Sequence, residues 1–319
     1  MALYQRFLQE NPELIELNHK FVAGWRVIST VAQISLIVLL LIIINPSIWY
    51  VFILSGVAGI TLSSRLHQRL YRKVPYEQEF EEALKVYLPE MFSCIEDADI
   101  RYFNQPADLK AIRYSGIFAK EAYLLPCIQV RNGIEGHYKG CAFNAVAVYL
   151  EHPTDKRQLI NFSFTSAILL RIDFSEAPVR EATIYSKWYT DLYVPDTSER
   201  RLQKDLRKMM PVRGVRIPIS QPDADYPFVL HAPSLADGPA LNQKAFLDTL
   251  QRLFKAASTD CHIVSIYHGR LDILIHPGRI FRPNTTYKIA EVNIFYIYYL
   301  ETLNLLKIID ALDVSSTQH

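Results

Sequence analysis

Between Arg26 and Arg65 the chain carries no charged residue, and that gap constrains its fold more than any other feature. The first arm, Val27 to Ile44, is apolar apart from Ser29, Thr30, Gln33 and Ser35. At about 1.5 Å rise per residue it is roughly long enough to cross a hydrocarbon core as a helix. Pro46 lacks an N–H and biases Asn45 away from the α region, so Asn45-Pro46-Ser47 reads as a turn. The second arm, Ile48 to Leu62, is shorter and needs Ser63 and Ser64 to reach the far interface. Trp49 and Tyr50 open it, where an interfacial aromatic belt places them. The expectation is a two-span transmembrane hairpin over residues 27–64, with the lipid bilayer as its surroundings.

The flanking charges give a direction. Arg65, Arg69, Arg72 and Lys73 follow the second arm, Lys20 and Arg26 precede the first, and the turn between the arms is uncharged. The positive-inside tendency then predicts a multi-pass inner-membrane protein with both termini cytoplasmic. Cys94, Cys127, Cys141 and Cys261 form no C-x-x-C pair, which argues against a zinc ribbon and suits a reducing compartment. Some 245 residues follow Val74, enough for a sizeable core. A formal net charge of +1 gives no global reason to expect nucleic acid.

Periodicity divides the rest. Asn11-Pro12-Glu13 resembles a helix start with Asn11 as N-cap, leading into a stripe of Leu14, Leu17, Phe21 and Trp25. Residues 1–26 are therefore expected as a cytosolic amphipathic helix and 65–99 as a juxtamembrane helix that Pro75 and Pro89 kink or divide. From about Arg113 the pattern alternates. Ile160, Phe162, Phe164, Ile168, Leu170, Ile172 and Phe174 all lie on even positions, opposed by polar residues such as Asn161, Ser163, Arg171 and Asp173. This predicts one long half-buried strand. Residues 133–140, GIEGHYKG, predict a hairpin or bulge leading into the strand CAFNAVAVYL. Later, Phe246, Leu247, Leu250, Leu253 and Phe254 share a helical face, Ile263–Tyr267 and Leu271–Ile275 read as a hairpin around Gly269, and a final helix runs from about Tyr287 to Leu312. The fold class expected is a membrane-anchored α+β protein. Its two-helix hairpin precedes a cytosolic domain of antiparallel sheet with packed helices, formed by a β sub-unit over 100–220 and an αβ sub-unit over 221–319.

Chemistry-bearing motifs are sparse. The eleven glycines form no phosphate loop, dinucleotide fingerprint or nucleophile elbow, and the nine histidines form no HExxH. His262, His268 and His276 gather near one hairpin beside Cys261 and read as strand-end histidines rather than metal ligands. Asp223-Ala224-Asp225 has the spacing by which two carboxylates hold a divalent ion, although a Pro-flanked loop favours acidic turn residues in any case. The strongest charge asymmetry lies in Arg200, Arg201, Lys204, Arg207, Lys208, Arg213 and Arg216, opposed only by Asp205. No aromatic residue interleaves these cations, so a base-stacking platform is missing. They are the candidate contact for an anionic lipid surface or an acidic partner. No catalytic residue, cofactor site or metal ligand is assigned.

Four stretches carry a resemblance. Ser115-Gly116-Ile117-Phe118, Gly136-His137-Tyr138-Lys139-Gly140 running into Phe143, the strand FTSAILLRIDF from Phe164 to Phe174, and the block from Ser265 through Gly269 and Leu271 to Phe281 and Pro283 are similar to an uncharacterised bacterial family, domain of unknown function 3137. The chain departs from that pattern over Gln221 to Ala240 and at Ala147. The resemblance implies two N-terminal membrane helices, a cytoplasmic domain and co-occurrence with membrane proteins of the LemA type. It brings no activity or catalytic residue. The function expected is thus a non-enzymatic multi-pass membrane protein whose cytosolic domain binds a protein partner or scaffolds a membrane complex. The alternatives are a membrane-tethered metal-dependent enzyme using Asp223 and Asp225, and a lipid-responsive module using Arg200 to Arg216.

Overall fold

The computed structural model describes residues 2–44, 61, 76–104, 117, 128–151, 164–174, 177–187, 213–220, 226–256, 261–275, 281 and 288–312. The chain forms two units, Met1–Glu90 with Arg282–Ile297, and Met91–Phe281 with Tyr298–His319.

The first unit is helical. Helix α1 spans Ala2–Glu10, α2 spans Pro12–Ile44 and α3 spans Tyr76–Phe92, running unbroken through Pro89. Asn11 stands between α1 and α2, and its side chain does not cap α2. Its Nδ2 donates instead to Phe7 O and Tyr87 Oη, both at 2.9 Å, fixing the break between the two helices. Phe7 is fully buried, edge-on to Tyr87 and Phe295 at 5.3 and 5.2 Å. The buried face of α2 is Leu14, Asn18, Phe21 and Val22, so a polar residue sits in the middle of the stripe. Asn18 Nδ2 donates to Tyr76 Oη at 3.1 Å and Oδ1 accepts from Ile289 N at 2.9 Å. A buried amide is tolerated because both of its ends are paired.

The transmembrane hairpin requires correction. Among the described residues no helix is long and apolar enough to cross a membrane. A hairpin needs two matched arms, whereas Val27–Ile44 is the second half of one 33-residue helix whose first half packs against protein. Of the second arm only Thr61 is described. An apolar run imposes a need for cover but does not specify lipid as the cover. The membrane-anchored fold class, the multi-pass function and the inner-membrane location with two cytoplasmic termini all rested on that step, and none is supported. Of the residues expected to flank the membrane, Arg26 lies exposed within α2, and Arg65, Arg69, Arg72 and Lys73 fall outside the described residues.

The second unit is built on one antiparallel sheet. Its strands are β1 Ala98–Phe103, β2 Ile128–Tyr138, β3 Cys141–Glu151, β4 Phe164–Asp173, β5 Glu181–Ser186, β6 Val215–Ile217, β7 Phe228–Ala232, β8 Cys261–Tyr267 and β9 Arg270–Ile275. They lie in the order β1-β2-β3-β4-β9-β8-β5-β7-β6. Strands from 100–220 and from 221–319 thus interleave, β9 and β8 being inserted between β4 and β5. Cross-strand register puts Ile134, Ala145, Leu170, Ile273, Val264, Ile184, Leu230 and Ile217 in one row running from β2 to β6, every member buried.

Helices cover that apolar face. A one-turn helix α4, Gly238–Leu241, precedes α5, Lys244–Ala256, which buries Phe246, Leu247, Leu250, Leu253 and Phe254. Phe254 stacks on Phe228 of β7 at 5.2 Å. Helix α6, Ile294–Ala311, buries Leu305, Leu306, Ile308 and Ile309, and its Asp310 ties down the β2–β3 turn by accepting from Lys139 Nζ at 2.6 Å and Tyr138 Oη at 3.2 Å. The opposite face is also buried at mid-sheet. Leu169, on the side of β4 expected to face water, is only 2% exposed. Strand β4 is therefore covered on both faces at its centre, where alternation alone predicts one wet face.

Candidate functional site

The residues next in sequence to the apolar row occupy the other face, and they form a second row in which every member is polar. From β1 to β3 it holds Arg101, Glu135 and Asn144; from β4 to β8, Arg171, Asp272 and Ser265; from β5 to β6, Thr183, His231 and Arg216. Its two ends are exposed and its middle is closed to water. Asp272 is fully buried and Ser265 is 1% exposed, whereas Arg101, Glu135 and Arg216 are exposed.

The middle of the row is an ion-paired cluster. Arg171 Nε donates to Asp272 Oδ1 at 2.7 Å across the β4–β9 pair. Arg270, two residues back on the same face of β9, brings its Nε to 3.4 Å from Oδ2, close enough for charge but outside hydrogen-bond geometry. Burial pushes the Asp272 carboxyl above its ordinary range even against the pull of both guanidiniums. Desolvation outweighs attraction here, as it can for buried pairs. The cluster fixes register: a slip of one residue would turn Asp272 into the apolar row.

The β6 end of the row is arranged differently. Burial, reinforced by Arg216, pushes the His231 imidazole below its usual range, and the contact with Gly214 opposes that shift. His231 Nδ1 lies 3.5 Å from Gly214 O, and the ring stands edge-on to Tyr185 at 5.3 Å. Tyr185 Oη in turn accepts from Arg213 N at 2.9 Å. Both residues ahead of β6 are thus held from the strands beneath. Gly214 has φ +76°, and a Cβ there would stand 2.4 Å from Ala232 O, a backbone atom of β7. Gly214→Ala is expected to cost about 1–3 kcal/mol and to raise amide exchange in β6 before the rest of the sheet opens, which site-resolved hydrogen exchange measures.

Of the basic residues singled out in the sequence, Arg213 and Arg216 fall at this edge, and Arg216 is exposed. Arg200, Arg201, Lys204, Arg207 and Lys208 lie outside the described residues, as do Asp223, Asp225 and His276. His268 sits at positive φ in the β8–β9 turn, accepting at Nδ1 from Arg180 Nε at 3.0 Å, with its Nε2 3.6 Å from Glu181 Oε1. Among the described residues no group of three or more His, Cys, Asp or Glu is placed to hold a metal ion. The polar row and the buried Asp272 escape sequence reasoning because each member is an ordinary alternating position in its own strand. Only the register between strands aligns them.

No known protein family and no curated protein matches the sequence. A comparison with solved structures finds the crystal structure of the mycobacterial trehalose monomycolate transport factor A, TtfA, at 10% identity and TM-score 0.32, covering 70% of this chain and 95% of that one. A similarity at that level carries no argument about this chain.

Proposed function

We propose that the chain is a non-catalytic binding module that recognises a protein partner with an acidic surface through the β6 edge of its sheet. The observation that carries this reading is the placement of Arg216 on the terminal strand and of Arg213 just ahead of it, where Tyr185 holds the Arg213 backbone N–H and His231 contacts the carbonyl of the intervening Gly214. In the sequence these two close the run from Arg200 that holds seven cations against Asp205 alone. Such a field steers an acidic partner and sets its on-rate more than its final affinity. The opposite edge differs: β1 exposes Asp99 and Arg101, of mixed sign, the usual protection of a sheet margin.

The test is photocrosslinking from a reactive residue placed at Leu235 in the full chain, with and without Arg213→Glu and Arg216→Glu. The expected outcome is a set of acidic proteins whose yield falls by about tenfold in the double variant and also falls with added salt. An unchanged set, recovered equally at high salt, would overturn the reading.

A further inference from the structure

We infer that β6 takes an extended segment of its partner as an added strand, with an acidic side chain opposite Arg216 and apolar side chains on either side of it. The inference rests on the acidic-partner reading above and specifies how the partner is held.

Strand β6 ends the sheet, and among the described residues it pairs with β7 alone. An added strand gains affinity from main-chain hydrogen bonds and specificity from alternate side chains, so the receiving strand must be fixed before the partner arrives. Both ends of β6 are fixed. Ahead of it stand the Arg213 N bond to Tyr185 and the close approach of Gly214 to Ala232. Behind it, Asn242 Oδ1 accepts from Ser220 N at 2.9 Å and Asn242 Nδ2 donates to Pro218 O at 3.0 Å.

The pattern of the partner follows from the pleat. Directly opposed residues share a face. Arg216 projects on the polar-row face beside His231, which burial keeps short of a second charge, so the residue opposite Arg216 meets one exposed cation. Val215 and Ile217 project on the other face. Ile217 is buried, but Val215 remains 42% exposed, and the 3-10 turn Leu235–Asp237 presents Leu235 at 63% exposure. Isolated exposed apolar residues are common, but here two accompany an edge strand whose exposed charge has one sign. An apolar–acidic–apolar segment satisfies both faces at once.

The probe is a blocked heptapeptide of alternating Val and Glu, titrated against the full chain, with amide hydrogen exchange followed at Val215, Arg216 and Ile217. Binding is expected to slow exchange in β6 by about tenfold or more. Arg216→Glu and backbone N-methylation of the same peptide are each expected to weaken it by a similar factor. Equal binding by the N-methylated peptide, or binding without protection of β6, would overturn strand addition while leaving acidic recognition standing. Failure of this peptide and of an unstructured poly-glutamate to bind would remove both readings. Protection of β6 that rises with protein concentration in the absence of peptide would assign the edge to a second copy of the chain, and so also overturn the proposal.

Discussion

Asp272→Ala lowers the unfolding free energy by about 3–5 kcal/mol, the expected cost of removing one member of a buried ion cluster while the others stay. The side chains of Arg171 and Arg270 are only 18% and 26% exposed, and Asp272→Ala removes the carboxylate that both guanidiniums approach in this poorly hydrated site. The triple variant Arg171→Leu/Arg270→Leu/Asp272→Leu is expected to recover most of that loss, since apolar replacement of every member of a buried ion cluster is often neutral or better. Urea titration of the three proteins measures this, and a single variant within about 0.5 kcal/mol of the parent would contradict the ion cluster. Because burial holds the Asp272 carboxyl above its unfolded value, its ionisation opposes folding. Its contribution is most favourable below the unfolded carboxyl range and is lost as pH rises through the folded value.

Glu301→Gln is expected to erase a pH dependence of roughly 3 kcal/mol. Burial pushes the Glu301 carboxyl up to about 7 from its ordinary 4.5, only partly relieved by the hydrogen bond it accepts from the Phe281 backbone. Its Oε2 is buried and accepts no hydrogen bond among the described residues. The folded state therefore holds a proton that the unfolded chain has released between those two values. Stability is greatest below about 4.5 and falls as pH rises through about 7, at roughly 1.4 kcal/mol per unit of difference. Glutamine keeps the volume and cannot ionise. The variant should match the parent to within about 1 kcal/mol at acid pH and exceed it above pH 8, less what its own buried amide costs unpaired. Thermal unfolding at both ends of that range decides the matter, and parallel pH profiles would refute it. Phe281 shows what the carboxyl supports: its backbone has φ +46°, and its ring contacts Phe92, Tyr102 and Tyr298.

Much of the second unit was legible because strands and amphipathic helices announce themselves locally. The face of α5 is the set Phe246, Leu247, Leu250, Leu253 and Phe254 read from spacing alone. Strand β4 shows where such reading stops: its even positions gave a strand, but Ala167 and Leu169 on the odd side are buried too, a fact set by what lies over them. Asn18 is absent from the apolar stripe of Leu14, Leu17, Phe21 and Trp25 that spacing shows, whereas two partners far along the chain make it part of the core. The charge-free run from Val27 misled for a related reason. Hydropathy counts the need for cover and is silent about whether protein or lipid supplies it. At the candidate site, Arg213 and Arg216 were visible as charge, but the edge strand that presents them was not, since three residues are too few to show a period.

The insertion of β9 beside β4 bears on how the chain is made. Arg171 and Asp272 meet across 101 residues, so during synthesis β4 emerges with β3 on one side and nothing yet on the other. At several residues per second, the ribosome leaves that margin open for seconds to tens of seconds. The open margin contains Ala167, Ile168, Leu169 and Leu170, an uncharged apolar run of the kind that pairs readily with another copy of itself. Arg171 at its end is the nearest charge able to discourage that pairing, which gives the residue a second duty as a gatekeeper before its carboxylate partner has been translated. Nascent chains halted before Asp272 should accordingly aggregate through β4, and chains carrying Arg171→Leu should do so faster.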